Sequence, residues 1–409
     1  MIILVLNSGS SSIKYQVLDM KSKEEHKLLA KGLVERIGLD EGIITHSVPG
    51  TDKFKVNRVI PNHTKGIQYV LDLLTDPQHG VLKSLKDINA VGHRMVHGGE
   101  IFNKSRLIDS EVIKGVEACN PLAPLHNPAC LLGVKAVTEA LPGVPQVGVF
   151  DTSFHQTIPD YAYMYAIPYH YYKEDKIRKY GFHGTSHRYV SAKGAKFAGL
   201  DYNNSRIITC HLGNGCSITA IKDGKSIDTT MGLTPMGGVM MGTRCGTIDP
   251  SVPIYLMQKY NSSVADMDAM LNKKSGFLGV SGVSPDMRDV EAAAAKGDEH
   301  AILALKMFRY GIIKYVGAYA AAMQGVDLII FTGGIGENDA VTREAVAKQF
   351  EFIGVDFDAD ANKNMKRGEP AIISKKNSKV IVAVVPTDEE LMIATDTMEI
   401  VSSVKGGKK

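Results

Sequence analysis

The sequence predicts an α/β protein built from two related domains, and three observations carry that prediction. The first is length: 409 residues exceed what one ordinary hydrophobic core serves, so two domains are expected. The second is alternation. Helical patterns such as "TREAVAKQFEFIG" (342–354) and "HAILALKMFRYGIIKYVGAYAAAMQG" (300–325) alternate with short apolar runs such as "DLIIF" (327–331) and "VIVAVV" (380–385). That is the pattern of strands covered by helices. The third is an internal repeat. A slide of 205 residues, half the chain, lays "IILVLNSGSSSI" (2–13) over "IITCHLGNGCSI" (207–218), with Ile2, Ile3, Ser12 and Ile13 falling on Ile207, Ile208, Ser217 and Ile218. Each copy reads as an apolar strand, a turn of small residues and a second strand, which points to duplication of a whole domain. Two related domains facing each other would enclose a cleft.

Composition narrows the function classes. A hydrophobic content of 44%, a charged content of 22% and a net charge of +3 carry no electrostatic bias toward nucleic acid or membrane. No apolar stretch approaches the roughly 20 residues of a membrane span. The N-terminus opens directly on a strand pattern, with no charged region leading into a long apolar one, so a cytoplasmic location is expected. The basic end "KGGKK" reads as a frayed terminus. Cys119, Cys130, Cys210, Cys216 and Cys245 are odd in number, scattered and never in a C-x-x-C pair, which argues against a disulfide framework and against a zinc ribbon. His93/His97 and His183/His187 have the four-residue spacing of a helical metal pair. Neither pair has the glutamate of H-E-x-x-H, so zinc is not expected.

Three turns of small residues stand out: "NSGSSSIK" (7–14), "HLGNGCS" (211–217) and "TGGIGEN" (332–338). Short side chains let backbone N–H groups approach an anion, and a helix start adds a favourable dipole, so together the turns read as a cradle for nucleotide phosphates. Each has a plainer reading. A glycine turn between strands is also an ordinary hairpin. The third turn lacks the lysine and serine or threonine of a Walker A loop and could be a helix cap, with Asn338 and Asp339 serving the helix through Arg343. Lys14 could be an ordinary exposed strand lysine, yet its place just after the first turn would let it reach a terminal phosphate.

These stretches, with "GHRMVHGG" (92–99), "APLHNP" (123–128), "FDTSFH" (150–155), "YGFHGTSH" (180–187), "MGLTPMGGVMMGTRCGTIDP" (231–250) and "PTDEE" (386–390), resemble the acetate kinases over nearly the whole chain and in the expected order. The resemblance implies the superfamily of actin, sugar kinases and heat-shock chaperone ATPases: two duplicated actin-like (ribonuclease H-like) domains flanking a nucleotide cleft. The domains expected are 1–152 plus 390–409, with a returning C-terminal helix, and 153–389, which carries most ATP contacts. It implies reversible transfer of a phosphoryl group from ATP to acetate, a homodimer, and Mg2+, or Mn2+, as the metal. No nucleic-acid or membrane partner is expected.

Residue by residue, the resemblance implies that Arg94 binds the substrate carboxylate and that Arg244 and His183 stabilise the transition state. His126 would lie near the transferred phosphoryl group. Asp151 matches the residue assigned as acid/base. A carboxylic acid is ionised above pH ~4 and needs no strong base, so an electrostatic or metal-water role suits Asp151 better; a helix N-cap is the plain alternative. Val96, Leu125, Phe182 and Pro235 match the wall around the substrate methyl group, although each could be simple core. The ATP contacts implied are Ser10, Ser12, Lys14, His211, Leu212, Gly213, Asn214, Gly215, Asp286, Met287, Arg288, Gly334, Ile335, Gly336, Glu337 and Asn338. Asn7 and Glu389 are the implied metal ligands. Thr387 and Glu390 have the spacing of a capping box, which would leave Glu389 available. The family's "PTNEE" reads "PTDEE" here, with Asp388 as the departure. His93, His97 and His187 read as buried structural histidines.

Two other functions fit parts of the sequence. A propionate or butyrate kinase differs only in the methyl pocket, where one methylene is worth about 1–3 kcal/mol. An actin-like or chaperone-like switch ATPase would need no carboxylate and leaves Arg94, Phe182 and His183 without a purpose.

Overall fold

Ile2–Ser8 and Ser12–Met20 form β1 and β2, an antiparallel hairpin with Leu6 opposite Tyr15. In the computed structural model, which describes residues 1–124 and 126–406, this hairpin opens the first of two compact units. That unit is Met1–Ser153 with Asp388–Lys409, and the second is Phe154–Thr387.

In the first unit β3 (His26–Glu35), β4 (Gly42–Ser47) and β5 (Phe54–Arg58) continue the antiparallel side of the sheet. On the other side β6 (Ala90–Met95) and β8 (Gln146–Phe150) run parallel to β1, with the short β7 (Arg106–Leu107) at the edge, giving the order β5-β4-β3-β2-β1-β6-β8-β7. The parallel strands are buried almost throughout, as strands covered on both faces must be. Ile67 and Val70 of the helix His63–Leu74 and Val137 of the helix Asn127–Ala140 pack with Leu4, Leu6 and Val91 on one face. The helix Glu389–Gly406 covers the opposite face over β1, β6 and β8. Gly92 is required there, because a Cβ would meet Thr397 Oγ1 at 2.5 Å.

The second unit holds β9 (Arg206–Leu212), β10 (Cys216–Lys222), β11 (Lys225–Thr229), β12 (Leu328–Thr332), β13 (Ala371–Ile372) and β14 (Ile381–Val384), in the order β11-β10-β9-β12-β14-β13. Here β9, β10 and β11 are antiparallel, and β12 and β14 run parallel to β9. The series β11-β10-β9-β12-β14 thus repeats β3-β2-β1-β6-β8 strand for strand and direction for direction. The repeated twelve-residue segments are β1–β2 and β9–β10, the corresponding hairpins of the two sheets. Val190 and Ala195 of the helix Gly184–Phe197 pack with Ile330 and Val385, and the helix Glu299–Ala322 packs against β9 and β10.

Some elements depart from the sequence reading. The helix expected over 342–354 runs Ala340–Ala347 and then tightens to a 3₁₀ turn, Lys348–Ile353, which buries Phe350 and ends at Gly354 with φ 105°. "GGIGEN" is itself a short helix, Gly333–Asn338. Thr387 and Glu390 form no capping box. Asp388 caps the last helix instead, its Oδ1 accepting from the Leu391 N–H at 3.0 Å, while Glu390 turns to Lys14 on β2. No helix among the described residues is long and apolar enough to cross a membrane.

Candidate active site

Parallel sheets present binding residues at the carboxyl ends of their strands. Asn7 near the end of β1, Arg94 near the end of β6 and Asp151 just past β8 occupy those positions on three adjacent strands. Arg94 donates from Nε and Nη2 to the two carboxylate oxygens of Asp151 at 3.2 and 2.5 Å, and from Nη1 to Asn7 Oδ1 at 3.2 Å. Asp151 is 1% exposed, so this pairing, and not a helix cap, accounts for it. A guanidinium carries five N–H groups. Three are used, and one on each Nη has no protein acceptor among the described residues, a pair suited to a carboxylate. Burial opposes the charge on Arg94, but Asp151 and Glu389 more than offset it and hold the group protonated.

Glu389 begins the last helix beside this cluster. Burial pushes its carboxyl up to about 7, with Asp151 and Glu390 adding to the shift and Arg94 and Lys14 opposing it. A buried carboxyl beside other acids is stabilised as a carboxylate by an added cation, and the oxygens of Asn7 and Glu389 are the hard donors that magnesium and manganese take. The residues therefore fit the metal. Among the described residues no three His, Cys, Asp or Glu side chains cluster as ligands, so an ion here would complete its shell with water and phosphate oxygens. Lys14 pairs with Glu390. In the first turn Gly9 N–H donates to Ser12 O at 2.8 Å, while the N–H groups of Ser10 and Ser11 have no protein acceptor among the described residues. The turn is thus a hairpin with two donors to spare.

Asn127, which the sequence reading passed over, joins two of the motifs. Its Oδ1 accepts from His97 N–H at 3.1 Å and its Nδ2 donates to His97 O at 2.9 Å, tying the loop that follows β6 to the helix that begins just after His126. Val96 is buried, and Leu125 lies outside the described residues. His93 is pushed down to about 4 by burial and donates from Nε2 to Gln146 Oε1, a structural role; His97 accepts from Gly99 N–H at Nδ1.

In the second unit His183 precedes the helix Gly184–Phe197 with φ 55°, an uncommon conformation for a residue with a side chain. A Cβ on Gly215 would lie 3.5 Å from His183 Nε2 and 3.8 Å from Arg244 Nη1, so both side chains reach the same turn. Arg244 donates from Nη1 to Pro235 O at 3.1 Å and has no carboxylate partner among the described residues; burial pushes its pKa down. His211 stacks on His183 with ring centroids 4.2 Å apart. Phe182 is buried, its carbonyl accepting from His155 Nε2.

Gly213, Asn214, Asp286, Met287, Arg288, Gly334, Ile335 and Asn338 line one cavity of about 1010 Å³, a volume that suits a nucleotide. Three separate stretches of chain are brought together there. The N–H groups of Asn214 and Gly215 have no protein acceptor among the described residues. His211, Leu212, Gly215, Gly336 and Glu337 do not line the cavity, and Glu337 is committed to the fold: Oε1 accepts from Gly333 N–H at 3.0 Å and Thr387 N–H at 3.2 Å. Asp339, not Asn338, caps the next helix by accepting from Val341 and Thr342 N–H. Phe277, Glu291, Asp339 and Arg367 also line the cavity and were missed. They carry no small-residue motif, and only nearness to Asp286 or "GGIGEN" in the chain could have marked three of them.

The sequence matches the acetokinase family over residues 2–395. It is 58% identical over 400 residues to an acetate kinase of Phocaeicola vulgatus, covering 98% of this chain and 99% of that one. An acetate kinase of Bacteroides thetaiotaomicron is 57% identical over 398 residues, covering 97% and 99%. The solved acetate kinase of Porphyromonas gingivalis superposes with a TM-score of 0.94 at 52% identity, over 98% and 99% of the chains. A solved propionate kinase of Francisella tularensis gives 0.89 at 42% identity, with the same coverage. With nearly its whole length matched in sequence and in fold, the chain belongs to the acetokinase family.

Proposed function

We propose that the protein transfers a phosphoryl group reversibly between ATP and acetate, giving acetyl phosphate and ADP. The observation that carries this reading is Arg94, oriented by Asp151 and Asn7 with two N–H groups left for a carboxylate. The names of the relatives support the same substrate pair.

Acetate is already an anion at neutral pH, so the protein's task is electrostatic. The remaining N–H groups of Arg94 receive its carboxylate, and Val96, Phe182 and Pro235 are the residues assigned to its methyl group. ATP occupies the cavity of the second unit, with its phosphates on the N–H groups of the small-residue turns and Lys14. An acetate oxygen bonds to the γ-phosphorus as the bond to the β–γ bridging oxygen breaks, and the electron pair leaves with ADP. Charge that builds on the equatorial oxygens is met by Arg244 and His183, with His126 nearby. Asp151 acts through Arg94. Magnesium, or manganese, held by Asn7 and Glu389 supplies positive charge to the phosphates when bound.

The homodimer implied by the resemblance is part of this proposal, supported by large apolar side chains left exposed in the second unit, among them Tyr161, Tyr255, Tyr260 and Val264. Sedimentation equilibrium should return twice the chain mass. A cytoplasmic location, where ATP is supplied, completes the reading. Propionate is the second substrate reading, favoured by the similarity to the Francisella tularensis propionate kinase.

The test is a hydroxamate assay with purified protein, ATP and magnesium, offering acetate, propionate, butyrate and no acid in parallel. Acyl phosphate should form fastest with acetate. A higher kcat/KM with propionate would favour the second reading, and ATP hydrolysis without acyl phosphate would leave the switch ATPase.

A further inference from the structure

His183, Ser217, His187 and Thr209 form an unbroken hydrogen-bond chain inside the second unit. His183 Nδ1 lies 2.9 Å from Ser217 Oγ, Ser217 Oγ 2.7 Å from His187 Nε2, and His187 Nδ1 2.6 Å from Thr209 Oγ1. Ser217, His187 and Thr209 are fully buried, so each hydrogen in the chain must find its acceptor within the protein.

The direction of the chain follows from its buried end. Thr209 Oγ1 has one side-chain partner among the described residues, His187 Nδ1. If His187 donated there, the threonine hydrogen would be buried without an acceptor. Thr209 therefore donates to His187 Nδ1. Burial holds His187 neutral, so its single N–H lies on Nε2 and donates to Ser217 Oγ. Ser217 has one hydrogen, and the remaining imidazole nitrogen, His183 Nδ1, receives it. The proton of a neutral His183 is left on Nε2, which, like Arg244 Nη1, lies within 4 Å of where a Cβ on Gly215 would stand.

We propose that Thr209, acting through His187 and Ser217, sets the tautomer of His183 so that Nε2 is a neutral hydrogen-bond donor to the transferring phosphoryl group. The inference rests on the reading of His183 as a transition-state donor given above. A neutral donor supplies a hydrogen bond next to Arg244 without placing two cations side by side. The surrounding rings agree with this polarity. His155, whose ring meets His187 edge-on at 5.8 Å, donates from Nε2 to Phe182 O and receives the Ser226 hydroxyl at Nδ1, and burial pushes it down to about 4. His211, stacked on His183, bonds through Nδ1 to Ser186. Thr209, Ser217 and His187 are positioning residues.

The test uses the full-length protein labelled with 15N-histidine. Two-bond 15N–1H correlation spectra, with His183 assigned by loss of its signals in His183→Asn, should show Nδ1 unprotonated and Nε2 protonated. Thr209→Val should abolish that preference and lower kcat about 10- to 100-fold. KM for ATP and for acetate should stay within about twofold, since ground-state binding is untouched. Thr209→Ser, which keeps the hydroxyl, should restore both readouts. Melting curves verify each fold, and Ser217→Ala, with the same expected loss, replaces Thr209→Val if that variant does not fold. A His183 proton on Nδ1 in the wild type, or a tautomer unchanged by Thr209→Val and Ser217→Ala, overturns the proposal. A tautomer that changes while kcat does not removes His183 from the phosphoryl step and leaves the relay standing.

Discussion

Arg94 and Arg244 are both arginines expected to meet anions, yet their surroundings make opposite predictions for stability. Arg94 neutralises the buried carboxylate of Asp151, and removing one partner of a buried pair typically costs about 3–5 kcal/mol. Arg244 leans on a backbone carbonyl and lies 3.8 Å from the Met241 sulfur, neither of them ionic. Arg94→Ala should therefore lower the melting temperature as well as kcat/KM for acetate. Arg244→Ala should leave melting close to wild type while kcat falls about 10²- to 10³-fold, the usual effect of removing a transition-state donor. Equal thermal losses in the two variants would contradict this account, and so would an Arg244→Ala enzyme with wild-type kcat. At this scale the residue types were legible in the sequence and their partners were not. The position of Arg94 between two histidines marked it as unusual, but Asp151 lies 57 residues away and reaches it because β6 and β8 are neighbours.

The last helix shows how an element can be read correctly for the wrong residue. A capping signal before "EELMIATDTMEIV" was plain, and the spacing pointed to Thr387 with Glu390. The cap is Asp388, one residue on, and the difference matters because the cap sets which way Glu389 and Glu390 project. Asp388→Ala should cost at least about 1 kcal/mol in urea denaturation, whereas Asp388→Asn, which keeps a capping oxygen, should cost only a few tenths. A large loss with asparagine would show that Asp388 is needed as a charge rather than as a cap. The turns tell a similar story. Small residues marked three of them, but only the folded chain distinguishes Gly333, with φ 78° and a would-be Cβ 2.7 Å from Leu212 O, from Gly334, which faces open space in the cavity.

Across the molecule, five buried histidines link stability to pH, among them His46, whose pKa burial pushes below 6.5. Burial pushes His93, His97 and His155 down to about 4, and His187 well below its ordinary value of 6.5. The unfolded chain takes up these protons near pH 6.5, and the folded one only at lower pH, near 4 for His93, His97 and His155. Between those values the unfolded state binds more protons, so stability is full above pH 6.5 and falls as pH drops toward 4. Each histidine contributes up to about 1.4 kcal/mol per pH unit. Thermal melting at pH 6.5, 5.5 and 4.5 should show the decline, and His93→Gln, which can still donate to Gln146, should make it shallower; a flat profile would contradict the buried neutral state. By itself the sequence determined the α/β class, the duplicated hairpin, the small-residue turns and the residue types that phosphoryl transfer needs, because periodicity and turn chemistry act over a few residues. Tertiary structure alone decided that Asp151 orients Arg94, that Asp388 caps the last helix and that Thr209 directs a proton on His183. Those outcomes depend on which buried donors meet which acceptors once distant strands are paired, and no local pattern encodes that.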